Sequence, residues 1–230
     1  MNKTSKTGHP INSVLALIKW PLAILMVLLL VPAFTTLLAF CSSYLDGYYI
    51  FHFLFPMFGF FIVFFMMSNL QNSFLAIAEH ELTHALFAIL TFHKIVGMEI
   101  EQDRGGHVQL SGSGNWLITL APYFFPTFAV VVLLVGWVYS VFNHQWPTYL
   151  LPAYGLMVGY HICAVITQIH PKQTDFKQAG RLFTLMFLPG ANMVVFGLLF
   201  AIAFQKWEGI PLYFRALFLK TREFLEQITG

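Results

Sequence analysis

The sequence predicts an all-α polytopic membrane protein with about six transmembrane helices and one short β-hairpin. Its composition is the first reason: 58% of the 230 residues are hydrophobic and only 10% are charged, whereas a soluble domain carries about 25% charged residues. The second reason is that apolar stretches recur at lengths of about 20 residues, which a helix needs to cross a bilayer. We therefore expect a multi-pass protein of the cell membrane, with the lipid bilayer as its main surroundings.

Short polar breaks divide the chain into the predicted spans. These cover, in order, 13–41, 49–68, 73–93, 115–142, 147–169 and 180–204. The first span contains Pro21 and Pro32, is too long for a signal-peptide core and lacks a small-x-small cleavage site, so we expect it to be retained. Residues 1–230 are predicted to form a single integral membrane domain.

The polar stretch 94–114, "KIVGMEIEQDRGGHVQLSGSG", has no helical periodicity. The turn-like sequence Asp103-Arg104-Gly105-Gly106 separates two short segments of strand-forming residues, one with Met98 and Ile100 and the other at 107–110. This pattern favours a β-hairpin. A surface loop is the alternative interpretation.

The C-terminal segment 205–230 mixes apolar and charged residues at helical spacing. It is predicted to form an amphipathic helix at the membrane interface, with Arg215, Lys220 and Arg222 facing outward. The residues expected to face lipid are Phe214, Leu217, Phe218, Phe224 and Leu225.

Charge and cysteine usage exclude several classes of function. The formal net charge is +2 and no basic run is present, so the sequence gives no sign of a nucleic-acid partner. The two cysteines, Cys41 and Cys163, lie in or beside apolar spans and form neither a CxxC pair nor a disulfide framework. The 12 Lys and Arg residues divide almost evenly between the two sides of the membrane, which leaves the orientation of the termini open.

The third span contains the motif "AEHELTHALFA", whose polar residues are candidates for metal binding and catalysis. His80 and His84 are four residues apart and share one helix face, so that two imidazoles can bind one metal ion. Glu81 lies beside them and can reach a water molecule on that metal. These residues form an H-E-x-x-H motif, which supplies two zinc ligands and a general base.

Glu79 lies in the same stretch but on a different helix face, about 100° around the axis from His80. We interpret it as a residue that contacts a neighbouring helix or reaches the membrane surface, not as a catalytic group.

A catalytic zinc needs a third protein ligand and an open position for water. The fifth span ends on the same side as the third if the two pack in the same direction. This geometry favours Asp175, His170 and, within the span itself, His161. His161 also fits a core histidine that bonds a backbone carbonyl. Spacing alone does not choose between Asp175 and His170.

The motif, the stretch "GMEIEQDRGGHVQLSG" and the later Asp175 together resemble the site-2-protease group of intramembrane zinc metalloproteases. The similarity is to the small bacterial branch without PDZ or CBS domains, and it covers residues 72–182. It implies a bacterial inner-membrane enzyme with one zinc per chain, bound by His80, His84 and Asp175, with Glu81 as the base. The hairpin resembles the family's sheet that presents the substrate, a single-span membrane protein or peptide, as an extended strand.

The second family motif, N-x-x-P-x-x-x-L-D-G, differs here, where the chain reads "TQIHPKQTDFKQ". Thr167 stands where the family has an Asn that helps to hold the substrate or the oxyanion. The sequence leaves Gln168, Asn115 and Asn192 as replacements for it. The residues predicted to bind substrate are Gly106, His107, Val108, Gln168 and Asn115.

The sequence thus predicts a zinc-dependent intramembrane endopeptidase. One alternative is a membrane transporter or metal-handling protein that uses His80 and His84 at mid-membrane, although no internal repeat supports it. Another is a zinc-bound, non-catalytic membrane scaffold, against which the intact Glu81 argues because a structural site needs no base.

Overall fold

The structure, a computed structural model, describes residues 9–44, 47–67, 74–101, 105–145, 147–169 and 173–230. Helices dominate it, and one β-hairpin interrupts them. The helices are α1 (Pro10–Tyr44), α2 (Gly47–Tyr49), α3 (Phe55–Met66), α4 (Phe74–Leu90), α5 (Trp116–Leu120), α6 (Thr127–Asn143), α7 (Leu151–Gln168), α8 (Thr174–Ala179), α9 (Arg181–Gln205) and α10 (Gly209–Thr229). The strands are β1 (Ile95–Glu101) and β2 (Gly105–Leu110). A π-helical turn at Ile50–Leu54 precedes α3, and 3₁₀ turns occur at Ala121–Tyr123, Thr148–Leu150 and Lys206–Glu208.

The hairpin predicted within 94–114 is confirmed, since β1 and β2 pair in antiparallel register with Met98 opposite Val108. Both of these side chains are half-buried, whereas Glu99 is exposed. The alternation gives the hairpin an apolar face and a polar face. Residues 102–104, in the predicted turn, lie outside the described residues.

The predicted number of six membrane spans is not confirmed. Three helical segments of the described chain are long and apolar enough to cross a membrane: Pro10–Ser43, Thr148–Gln168 and Arg181–Thr229. A fourth is obtained if α5 and α6 are counted as one broken span, with an 81° bend between them. The bend coincides with the prolines of "LAPYFFP", which interrupt helical hydrogen bonding.

Within the described residues, the helices at the second and third predicted spans are shorter than a membrane-crossing helix. The apolar helix of the second covers only Phe51–Met66. Helix α4 has 17 residues and its polar residues are buried inside the protein. Nine of the 17 residues of α4 are buried against other parts of the described chain.

Close contacts between helices hold the fold around α4. Helix α1 packs along α9, and Gly190 allows the carbonyl of Met26 to lie directly against the backbone of α9. Gly155 of α7 makes the same kind of contact with the carbonyl of Phe53. A side chain at either glycine would overlap a backbone atom, which explains why glycine occurs at these crossings.

Helix α10 folds back along α9, because Gly197 lies against the Tyr213 ring and Gly209 lies against the carbonyl of Ala201. The helix predicted within 205–230 is therefore present. Leu217, however, is buried against the protein, and its prediction as a lipid-facing residue is wrong. Phe214 and Phe218 are exposed, as expected for side chains that face lipid.

Candidate metal centre

The H-E-x-x-H motif lies in the middle of α4, and its two histidines share a face of the helix. The Nε2 atoms of His80 and His84 are 3.0 Å apart. Both residues are largely buried, with side chains only 10% and 13% exposed. The i, i+4 spacing alone is enough to bring the two rings together.

The Nδ1 atoms of both histidines are occupied by other partners. His80 Nδ1 lies 2.8 Å from the Oε1 atom of Gln168, whose own NH₂ group donates to the carbonyl of Ala76. His84 Nδ1 lies 2.8 Å from the carbonyl of Ile118. Because both partners are acceptors, each ring carries its proton on Nδ1 and turns the Nε2 lone pair toward the other ring.

Asp175, at the start of α8, completes the cluster. Its Oδ2 atom lies 3.4 Å from His80 Nε2 and 3.7 Å from His84 Nε2. Burial raises the pKa of the Asp175 carboxyl, but the adjacent His80 and His84 side chains and the hydrogen bond from the Tyr123 hydroxyl outweigh this effect and hold the pKa below its usual range. The carboxyl group is therefore ionised at neutral pH, the form that binds a cation.

This donor set fits a metal ion. One ligand atom from each of His80, His84 and Asp175 lies within 4.8 Å of the other two. Two Nε2 lone pairs that face each other at 3.0 Å need a proton or a cation between them. A proton bridges only one pair of these atoms, whereas a divalent cation is bound by all three. Two imidazoles and one carboxylate suit zinc, with a fourth position left for water.

Glu81 lies beside this cluster without belonging to it. Its side chain is buried and borders the same cavity as the three clustered residues. Gly106 of β2 lies against it so closely that a methyl group at that position would approach the Glu81 Cγ atom to 2.5 Å. The glycine therefore gives the carboxylate room between α4 and the hairpin.

A cavity of about 730 Å³ opens over the cluster. Of the residues predicted to bind substrate, Gly106, His107, Val108 and Gln168 line it. Asn115 is absent from its described lining. The Asn115 side chain instead caps α5 by accepting from the Ile118 backbone N–H at 3.0 Å.

The amides considered as oxyanion donors are already engaged in the described part of the chain. Gln168 holds His80, as described above. Asn192 donates to the carbonyls of Tyr123 and Leu188. These contacts join residues that are distant in the chain, and spacing in the sequence does not reveal them. His170, the alternative third ligand, lies outside the described residues.

Glu79 and His161 pair with each other on another face of α4. His161 Nδ1 lies 3.5 Å from Glu79 Oε1, and both side chains are almost fully buried. The same carboxylate oxygen accepts from the backbone N–H of Phe128, at the start of α6. Glu79 thus joins the third predicted span to its neighbours, in line with its interpretation as a residue that contacts a neighbouring helix.

Tyr123 is a site residue that the sequence did not reveal. It is fully buried, and its hydroxyl donates to Asp175 Oδ2 at 2.8 Å. Gln173 donates to the Tyr123 hydroxyl and, at 3.3 Å, to the same carboxylate oxygen. No sequence pattern connects Tyr123 with Asp175, because the two residues are 52 positions apart in the chain.

The fold and the site together define a class of protein: helical membrane proteins with a partly buried His-His-Asp cluster that could bind a metal ion and a glutamate beside it. The chain belongs to the Peptidase M50B-like family, the site-2-protease family, whose model matches residues 71–220. Membership in this family points to a membrane metalloprotease. Comparison with curated proteins and with solved structures gave no significant match.

Proposed function

We propose that the protein is a zinc-dependent intramembrane endopeptidase that hydrolyses peptide bonds of membrane-spanning substrates. The observation that carries the proposal is the meeting of His80, His84 and Asp175 beside Glu81 in one cavity, in a chain of a peptidase family. In this proposal the first three residues bind zinc and Glu81 is the general base.

The chemistry that a bound zinc ion supplies is polarisation of the scissile carbonyl and a pKa of about 7 for the attacking water. The chain's own residues handle the proton. The Glu81 carboxylate accepts it from the water molecule and delivers it to the leaving amine nitrogen. Gln168 and the carbonyl of Ile118 hold the two histidine rings by their Nδ1 atoms, and Tyr123 holds the carboxylate of Asp175.

The cavity provides room for water and for an extended substrate segment. Its lining combines the cluster with five residues of the hairpin strand β2, which are Gly105, Gly106, His107, Val108 and Leu110. A helical peptide bond is shielded and internally hydrogen-bonded, so a substrate span has to unwind before it can be cut. We propose that the unwound segment lies along the hairpin as an added strand.

Removal of zinc tests the proposed function. The purified protein, reconstituted in lipid vesicles with a library of single-span peptides, is expected to cut them within the span, as read by mass spectrometry. A strong zinc chelator should abolish the cleavage, and added zinc should restore it, because the ligands remain intact. Cleavage that persists after zinc has been removed would rule out the mechanism, and zinc binding without any cleavage would favour a metal-handling protein.

Substitution of Gly106 by alanine tests the contact between the hairpin and the proposed base. The added methyl group would approach the Glu81 Cγ atom to 2.5 Å, so the buried Glu81 side chain has to shift. A misplacement of this kind is expected to lower kcat by about 10- to 100-fold, with zinc content unchanged. Gly59→Ala is the control, since a methyl group there meets no atom within 4 Å. Wild-type kcat in Gly106→Ala would contradict the assigned position of Glu81.

A further inference from the structure

Helix α1 lies outside the family-matched residues 71–220, yet it contacts both segments that complete the candidate metal centre. Asn12, Leu15 and Lys19 are spaced i, i+3 and i+7, so they share one face of α1. Each takes part in a hydrogen bond to a segment that is distant in the sequence.

The first of these segments is the start of α5. Asn12 donates to the carbonyl of Ser113 at 3.0 Å and accepts from the side chain of Asn115, also at 3.0 Å. The Trp116 indole N–H donates to the carbonyl of Leu15 at 2.7 Å. These bonds fix the helical turn whose Ile118 carbonyl orients the ring of His84.

The second segment is α8, which carries Asp175. Lys19 Nζ donates to the carbonyl of Ala179, the last residue of α8, at 2.7 Å. The ammonium group also lies 4.8 Å from the centre of the Phe183 ring, a favourable cation–π arrangement. The next residue, Gly180, has a φ of 94° and turns the chain into α9.

Helix α8 has only six residues, far below the length at which a helix is stable by itself. Its position therefore depends on contacts with other elements. Tyr123 and Gln173 hold its first turn, and Lys19 bonds to its last carbonyl, a group that a helix end leaves without an internal partner. A half-buried ammonium group in an otherwise apolar helix is costly unless it is bonded in this way.

We propose that this face of α1, which we call the clasp, holds the start of α5 and helix α8 in place around the metal centre. Within the clasp, Lys19 is a positioning residue for Asp175. Lys19 touches none of the three clustered residues in the contacts described. It acts through Ala179 and the short helix between them. The proposal rests on the proposed zinc site, but it concerns how tightly the chain holds the metal and not whether the chain cuts peptides.

The test compares zinc release from Lys19→Met, Lys19→Arg and Lys177→Met proteins in the presence of a competing chelator. Lys177 is an exposed lysine on α8, so its replacement removes the same charge without removing the clasp. We expect Lys19→Met to release zinc about 10-fold faster or more, the order of effect known for residues that support metal ligands. Lys19→Arg, which can still donate to Ala179, should restore slow release, and Lys177→Met should behave as wild type.

Two further measurements separate positioning from general damage. The kcat of Lys19→Met should fall while KM stays unchanged. The unfolding temperature should stay near wild type, because methionine keeps the apolar stem of the lysine side chain in place. If Lys19→Met does not fold, Lys19→Leu takes its place, because leucine also lacks a hydrogen-bond donor. Wild-type zinc release in the folded variant, or rapid release that Lys19→Arg does not correct, overturns the clasp.

The failure of the clasp is distinguishable from failure of the proposed function. A wild-type protein that binds zinc but cuts no peptide contradicts the function, while the comparison of zinc release still decides the clasp. A wild-type protein that binds no zinc overturns both.

Discussion

Replacement of Glu81 by glutamine is expected to lower the rate of peptide-bond hydrolysis by about two to four orders of magnitude, the usual contribution of a general base. Glutamine has nearly the same shape as glutamate but cannot accept the proton of the attacking water. Glu81 stands outside the three clustered residues, so the variant should retain one zinc per chain. The measurement is the initial rate of peptide cleavage in vesicles at saturating zinc, with metal content determined on the same sample.

Glu79→Gln is the matched control for this experiment. It removes the neighbouring carboxylate, which is equally buried but bonded to Phe128 and His161. A glutamine oxygen at position 79 can still accept from the Phe128 backbone N–H, so cleavage should stay within a few-fold of wild type. Full activity in Glu81→Gln would contradict the proposed base, and an equal loss in both variants would point to general damage to α4.

Replacement of Asp175 by alanine is expected to remove both zinc and activity. The variant leaves two imidazoles as ligands, and loss of a ligand should weaken zinc binding by at least about 100-fold, the upper end of the effect known for residues that only support ligands. It also leaves the Tyr123 hydroxyl buried without its acceptor, which costs about 1–3 kcal/mol of folding free energy. Zinc affinity should therefore be measured by competition with a chelator, below the unfolding temperature of the variant.

His170→Ala is the decisive comparison, because spacing in the sequence favours both residues as the third ligand. The structure places the Asp175 carboxylate 3.4 and 3.7 Å from the two histidine Nε2 atoms. We expect His170→Ala to keep wild-type zinc affinity. The reverse result, with zinc retained in Asp175→Ala and lost in His170→Ala, would transfer the ligand role to His170.

The local features of this protein were predictable from the sequence. The two histidines are brought together by i, i+4 spacing within one helix. The hairpin follows from its turn residues and from the strand-forming segments around them. Both depend on interactions between residues close in the chain, and no knowledge of packing is needed.

Features that depend on tertiary packing were not predictable in the same way. Hydropathy counts apolar stretches, but it does not tell which residues of a helix such as α4 are buried inside the protein. The sequence predicts Asn115 to bind substrate, but its spacing does not reveal that Asn115 also caps α5 and bonds to Asn12, 103 residues away. The contacts of Tyr123 with Asp175 and of Lys19 with Ala179 join distant parts of the chain and leave no periodic signal.

The most direct test of the central claim is the position of the metal itself. Crystals of the zinc-loaded protein, measured at the zinc absorption edge, should show one strong anomalous peak in the cavity beside Glu81. We predict that it lies about 2.0–2.2 Å from His80 Nε2, His84 Nε2 and an Asp175 carboxylate oxygen, the usual zinc–ligand distances. A peak bound by other residues, or no peak at this cluster in zinc-loaded protein, would contradict the account.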